Sequence, residues 1–440
     1  MTENGFKETE LGLIPEEWEI TRLGDLFEIQ QGITLCREPG PGKYLKPFLR
    51  TSNVFWSRID LTKLDSMYFS EKQLQSLTLK SKDLLICEGG DIGRTAIWEE
   101  QITECCHQNH LHRLRAKNGL GITPEFYMYW MQFGMLIRGL YSEEGNKTTI
   151  PNLSRSRLSN FTIPLPPLPE QKQIAHILST IQEAKDKTED VINATKELKK
   201  SLMSHLFTYG PVPVSEAEHV KLKETELGLI PEDWEVKKMV DFATLITDFV
   251  ANGGFATLRE KVKYKSKEDY AILLRLIDYT HKFKGPFVYI DEGAYNFLKK
   301  TKLKPGDIIL CNVGATLGTV FRVPDLHKPM NLGPNSLLLR ADESNDYLFY
   351  WLKSQIGQEK IKSIATVTAQ PKFNKTDLRN LLIPLPSLPK QNQIADMLSA
   401  VDSKIEAEEN KAKALDALFK TLLENLMTGK LRVNTLEVSS

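Results

Sequence analysis

Two stretches of the chain carry apolar residues at helical spacing for long distances without glycine or proline. In the first, from roughly Glu170 to Tyr209, the residues Ile174, Ile177, Ile181, Ala184, Val191, Leu198 and Leu202 recur at heptad a/d spacing. Thr188 and Thr195 weaken that seam. In the second, Ile394, Met397, Leu398, Val401, Ile405, Ala412, Leu415, Leu418, Phe419, Leu422 and Leu426 form a similar stripe. Lys404 and Lys411 occupy positions where strict heptads want apolar residues, so the stripe drifts and imperfect pairing is expected. Each stretch predicts a rod of about 60 Å. Ile174, Ile177, Ile181, Leu198 and Leu202 are expected to pair with Ile394, Val401, Leu415 and Leu422, holding the globular parts at a fixed separation.

Elsewhere the apolar runs are short. "SKDLLIC", "TAIW", "PGDIILC" and "GTVFRV" are β-branched or aromatic and bounded by turn residues, which predicts strands. "PEFYMYWMQFGMLIRGL" predicts a helix with Pro124 in its first turn and Gly139 near its end. The mixture predicts an α+β fold.

The pattern is written twice. "KETELGLIPEEWEI" from Lys7 returns as "KETELGLIPEDWEV" from Lys223, an offset of 223 − 7 = 216 residues. "IPLPPLPEQKQIAHILS" from Ile163 returns from Ile383, "FYMYWMQ" from Phe126 resembles "YLFYWLK" from Tyr347, Cys87 answers Cys311, and Pro151 answers Pro371. A period this long marks duplicated domains rather than a solenoid. The expected segments are a globular part at 1–165, a long helix at 166–210, a second globular part at 211–385 and a second long helix at 386–440, the two halves related by internal symmetry. A proline-punctuated strap should end each globular part on an extended path. Residues 30–60 and 245–285 share almost nothing, nor do 141–157 and 361–377. Copied borders imply one kind of partner met twice; diverged interiors imply two different targets.

Composition adds little to this. The formal net charge is zero, with 57 basic and 57 acidic residues, so polyanion binding must come from local patches. Five cysteines fit reduced thiols, the polar start lacks the features of a signal peptide, and no run is apolar enough to span a membrane; a cytoplasmic protein is expected.

The patches lie in the diverged stretches. "PGKYLKPFLRTSNVFWSR" interleaves Lys43, Lys46, Arg50 and Arg58 with aromatic residues; "CCHQNHLHRLRAKNG" carries Arg113, Arg115 and Lys117. "GNKTTIPNLSRSRLSN", "LREKVKYKSK", "THKFKG" and "QPKFNK" continue the style. Lys and Arg neutralise phosphates, and amides and hydroxyls in loops read base edges. Candidate DNA contacts are Arg50, Ser52, Asn53, Arg94, Gln108, Asn109, Lys147, Thr148, Thr149 and Arg155 in the first copy. In the second they are Arg275, Asp278, Thr280, Lys282, Asn312, Thr316, Asn335, Thr368, Gln370 and Lys372. "CCHQNHLH" invites a zinc site but lacks a Cys-x-x-Cys pair, so no metal is assigned, and a strand carrying Gln108, Asn109 and His110 toward DNA is expected instead. "EGGDIGR" reads as a strand-to-strand turn with Arg94 near the DNA backbone, and Trp18 and Trp234 as core anchors. A protein-only scaffold and a chain with its own enzymatic activity are the competing readings.

"GLIPEEWEITRLGDLFEI", "IPLPPLPEQKQIAHIL", their second copies and "LLENLMTGKLRV" resemble the specificity subunits of type I restriction–modification systems, in order and over essentially the whole chain. The resemblance implies two target recognition domains related by a pseudo-two-fold axis, each reading half of a split asymmetric DNA site, with two long antiparallel coiled-coil helices setting the unread spacer. It implies docking of two modification subunits that methylate adenine with S-adenosylmethionine, joined by restriction and translocase subunits. No active site and no cofactor is expected on this chain, and it carries neither an Asn/Asp-Pro-Pro-Tyr/Phe methyltransferase motif nor a phosphate-binding loop.

Overall fold

The computed structural model describes residues 5–139 and 153–433. They form two compact units, Met1–Asp190 with Glu409–Ser440, and Val191–Glu408. Each long helix, Leu168–Tyr209 and Leu388–Met427, is divided between both units.

The first unit is built on a four-stranded antiparallel sheet in the order Thr95–Trp98, Asp83–Cys87, Leu111–Ala116, Phe27–Gln31. The middle strand Asp83–Cys87 is buried on both faces, which is why it reads as an unbroken apolar run. A second sheet joins Cys106–His107, Lys43–Leu49 and Asp65–Ser70, with Cys106 beside Phe48 in a parallel pair. The predicted helix is Pro124–Leu136, with Pro124 at its start, where the missing N–H costs nothing. Its residues from Phe126 to Gly134 are all buried, so it has no polar face. The proline strap is itself a strand: Thr162–Leu165 pairs antiparallel with Glu19–Arg22. Gln171 then locks the start of the long helix, donating to Pro166 O at 2.8 Å and accepting from Thr123 N at 3.0 Å.

The second unit repeats this plan with Val320–Arg322, Ile308–Cys311, Ser336–Arg340 and Leu245–Asp248 in the four-stranded sheet. Its second sheet pairs Ala271–Leu274 in parallel with Met330–Leu332. Leu382–Leu385 pairs with Glu235–Lys238, and Gln391 donates to Pro386 O at 2.7 Å.

Within each unit, segments of the two long helices pack antiparallel. In the first unit Lys185 meets Asp416 at 2.7 Å while Glu170 meets Arg432 at 2.9 Å, and Ile174 and Leu178 share a core with Phe419, Leu423 and Leu426. In the second Lys199 meets Asp402 at 2.5 Å, and Leu206 and Phe207 share a core with Ile394 and Leu398. Ile174, Ile181 and Leu202 lie in the seam with Ile394, Val401, Leu415 and Leu422, as expected. The other row of the first helix shifts by one residue, from Ile177, Ala184, Val191 and Leu198 to Leu178, Lys185, Ile192 and Lys199. The seam's inward positions are Ile174, Leu178, Ile181, Lys185 and Thr188 in the first unit, and Ile192, Thr195, Lys199, Leu202 and Leu206 in the second, spaced alternately by four and three. On the other helix they are Ile394, Leu398, Val401, Ile405 and Glu408, then Ala412, Leu415, Phe419, Leu422 and Leu426. Leu198 is 58% exposed and is not a seam residue; Val191 is exposed too. The seam accepts lysines because their ammonium groups lie over aromatic rings and reach acids: Lys185 Nζ sits 4.6 Å from the Phe419 ring centre and Lys199 Nζ 5.5 Å from that of Tyr350. Lys404, which seemed to interrupt the stripe, is outside it.

The C-terminal segment completes the first unit. Trp18 Nε1 donates to Glu170 Oε2 at 2.9 Å, and Arg432 binds both Glu170 and Glu17. In the second unit Lys390 stands at the place of Glu170 and pairs with Asp233 at 2.7 Å, and the buried Trp234 Nε1 has no acceptor among the described residues. Both tryptophans are fully buried, as core anchors should be.

Candidate nucleic-acid interface

Several charged residues that looked like phosphate contacts are structural. Arg115 forms a two-pronged pair with Asp83, at 2.8 and 2.6 Å, and Asp83 also accepts from Lys80 N at 2.7 Å. The second unit rebuilds this arrangement with Arg340, Asp307 and Lys304. Both aspartates are buried, so each arginine neutralises a charge the sheet has taken out of water. Arg113 is buried, donating to Glu28 at 2.8 Å and Ser76 O at 3.2 Å.

In the first unit the strand Lys43–Leu49 delivers Arg50 to the N-cap of a short 3-10 turn, Thr51–Asn53. Asn53, expected to reach DNA, is turned inward. It is buried, its Oδ1 accepts from Arg50 N at 3.0 Å, and its Nδ2 donates to Asp60 O and Lys63 O. Arg94 is largely spent as well, bound to Thr51 O at 3.2 Å and to Asp91, and lying over the Phe55 ring. The hairpin on which it sits is the expected strand-to-strand turn. Ser52 and Arg155 are exposed, and Arg50 is half-exposed beside Asp65 at 2.5 Å. Gln108, Asn109 and His110 do not lie on a strand; they form the turn between Cys106–His107 and Leu111–Ala116. Backbone bonds hold that turn against the same sheet end, with Gln108 N on Leu49 O and Glu88 N on His110 O. Leu153 N joins Glu88 O, which brings the stem of Arg155 to this end too. Lys147, Thr148 and Thr149 lie outside the described residues.

The second unit builds the same end from different side chains. Arg275 caps the turn Leu276–Thr280, and Asp278 takes the place of Asn53. Asp278 is buried, accepting from Arg275 N at 2.7 Å and Arg275 Nη2 at 3.3 Å, so it too is a capping residue and not a reader. The stretches that shared no sequence therefore share a cap, because an Arg at the N-cap and an Asn or Asp three residues on solve the same backbone problem. Arg275, Ile277, Thr316 and Asn335 line a hollow of about 240 Å³. Gln370 lies beside Gly314 on the rim, held by Gly314 N on Pro371 O at 2.8 Å and by a bridge between Val313 and Lys372. Asn312 donates to Phe373 O at 2.8 Å, and its buried Oδ1 has no donor among the described residues. Thr280, Lys282 and Thr368 are exposed around the cluster.

The basic stretch "LREKVKYKSK" and the aromatic residue before it, not among the candidate contacts, also reach this end. Phe255, 81% exposed, Tyr264, Arg259 and Lys263 border a cavity of about 580 Å³ that shares Val313, Pro334, Asn335 and Ser336 with the smaller hollow. Aromatic residues interleaved with Lys and Arg from Phe255 to Lys267 were the available signal.

The histidines and cysteines of "CCHQNHLH" are mostly core. Cys105 and Cys106 are buried, with thiols pushed up to about 12 and about 11, and His107 is buried and held down to about 4 by burial and by the nearby Arg113 charge. His112 Nε2 contacts Leu153 O at 2.8 Å. Among the described residues no group of three or more His, Cys, Asp or Glu side chains is arranged to hold a metal ion.

The family model of the type I restriction modification DNA specificity domain matches this chain twice, over residues 15–197 and 231–417. The chain belongs to this family. The MjaX specificity subunit of Methanocaldococcus jannaschii is 29% identical, with 98% of each chain covered. The MjaVIII specificity subunit of the same organism is 26% identical over 99% of this chain and 97% of its own. The EcoKI specificity subunit of Escherichia coli is 22% identical over 96% of this chain and 90% of that one. The fold is that of the S subunit of a type I restriction–modification system from M. genitalium, with a TM-score of 0.57 at 16% identity, covering 93% of this chain and 96% of that one.

As a type I specificity subunit, the chain carries two DNA-recognition domains and no catalysis of its own. The family's two matches fall on the two α+β frames described above, so the duplication is of whole domains. Among the described residues no helix is long and apolar enough to cross a membrane.

Proposed function

We propose that each unit reads one half of a bipartite, asymmetric DNA site, and that the chain thereby directs adenine methylation by two modification subunits. Those subunits hold the S-adenosylmethionine; restriction and translocase subunits join them to cut unmethylated DNA. Residues 1–165 and 211–385 act as the target recognition domains, and the helical segments 166–210 and 386–440 as the docking region. The assembly works in the cytoplasm, where its DNA is.

One observation carries this reading: the four-stranded sheets match strand for strand while the loop ends do not. Exposed Ser52 of the first unit stands where the second has exposed Ile277, Glu88 where it has Asn312, and Gln108-Asn109-His110 where it has Gly333-Pro334-Asn335. Equal frames with unequal tips suit two different half-sites. Arg275, Thr316, Asn335 and Gln370 supply donors and acceptors for base edges, and Ile277 an apolar contact for a thymine methyl. Gln108, Asn109, Ser52 and Arg155 do so in the first unit. Lys282 and Lys372 serve phosphates. Methylome sequencing of cells carrying the intact system tests this. A split adenine-methylated motif is expected, and Asn335→Ala should relax one half of it and leave the other unchanged. An unsplit motif, or both halves relaxed together, refutes the proposal.

A further inference from the structure

The second unit follows its strand Leu245–Asp248 with a helix, Phe255–Lys261. The first unit has no helix at that place, between Gln31 and Lys43. Phe255, Leu258 and Val262 fall at i, i+3 and i+7, so they share one face of this added turn of chain. Leu258 and Val262 are buried and pack with Phe249, Leu273 and Ile290. Phe255, the first member of the same row, is left bare, although Leu258 N bonded to Gly254 O at 2.9 Å fixes the start of the helix. Core packing explains the other two apolar residues and not this one. Phe255 borders the cavity of about 580 Å³, whose apolar lining is Phe249, Leu258 and Val262.

The rest of the wall narrows what fills it. Tyr264 brings a second exposed ring, and Arg259 and Lys263 are exposed beside it, neither paired with an acid among the described residues. Asp248, the acid of the wall, is taken up by Lys375 at 3.1 Å. Asn335 and Ser336 belong both to this cavity and to the smaller hollow that holds Arg275 and Thr316. Ring faces, cations and an exposed amide are the partners of a nucleotide: the rings stack on its base, the cations meet its phosphates, the amide meets its edge. The volume is that of a ligand pocket. A base paired within a duplex shows only its edge, which a surface hollow accommodates. A recess with an apolar lining is filled by a base that has left the stack.

We propose that this cavity receives one nucleobase swung out of the bound duplex at the second half-site, stacked against Phe255 and Tyr264, with its flanking phosphates on Arg259 and Lys263. This rests on the function proposed above. The test uses the full chain assembled with its own system's modification subunit, and duplexes carrying the motif that methylome sequencing reveals. Each position of the second half is mispaired in turn by exchanging the base opposite, and binding is measured on filters. Mispairing removes the pairing that extrusion must break, so one position other than the methylated adenine should bind about tenfold more tightly. No position of the first half should show this gain, apart from its methylated adenine. The double variant Phe255→Ala, Tyr264→Ala should lose the gain at an unchanged urea midpoint, and Phe255→Trp, which restores a stacking face, should keep it. A second half with no tightened position overturns the proposal, as does a gain that survives the double variant. Equilibrium dialysis of the DNA-free complex with dAMP, dCMP, dGMP and dTMP gives a further check: tight binding of a free nucleotide in this cavity assigns it to a small ligand and overturns the proposal too. A wild-type motif that is not split overturns the function reading instead.

Discussion

Asp83 and Asp307 show what a buried charge does in this chain. Each is removed from water, and each is matched by an arginine fork and a backbone N–H. Asp83→Ala and Asp307→Ala leave Arg115 and Arg340 unmatched at the sheet, and each should cost about 3 kcal/mol in urea unfolding. Asn53→Ala should likewise lower stability rather than alter base preference, since its three polar contacts are internal. Titration offers a second check. Burial holds His107 from its usual 6.5 down to about 4. The unfolded chain therefore binds the proton more readily between those values, so stability is full above pH 6.5 and is lost as pH falls toward 4. His107→Gln should flatten that limb of the urea midpoint against pH; an unchanged slope refutes the assignment. None of these roles was legible in the sequence, where Arg113, Arg115 and Asn53 looked as available as Arg155. Availability depends on strands tens of residues away.

At the scale of elements, the long helices were legible in length, position and most of their seam, but one row of the first helix was read one residue early. Apolar residues at heptad spacing favoured Ala184 and Leu198, whereas the seam takes the neighbouring Lys185 and Lys199. Their acids and aromatic rings come from the opposite helix and from Tyr350, and no pattern within one helix reports them. Leu206→Ala, in a fully buried position, should cost about 2–5 kcal/mol; Leu198→Ala should stay within about 0.5 kcal/mol. Equal losses in urea unfolding would put Leu198 back in the seam. Gly429 has φ +68°, and a Cβ there would stand 2.3 Å from Pro15 Cγ. Gly429→Ala should therefore loosen the closure of the first unit, read as faster hydrogen exchange at Trp18 and Glu19. The proline strap was read as a terminator; its extended backbone also makes it a pairing strand, which prolines permit at a sheet edge.

For the whole molecule, the predicted behaviour follows from two recognition domains with one plan and different tips. Arg275→Ala in the assembled complex should cost about 1–3 kcal/mol of DNA binding and relax the motif in one half only, whereas Lys372→Ala should weaken all sequences alike and lower the salt slope by about one. Filter binding across a salt series separates the two; identical effects from both would remove Arg275 from the readers. The sequence by itself determined the duplication, the two long helices, the buried strands and the family, because these are written in local periodicity and in repeated phrases. Only the tertiary structure decided which polar side chains remain free at the sheet ends. Capping, ion pairing and burial consume donors according to neighbours in space, and two stretches with unrelated sequences can fold into the same cap.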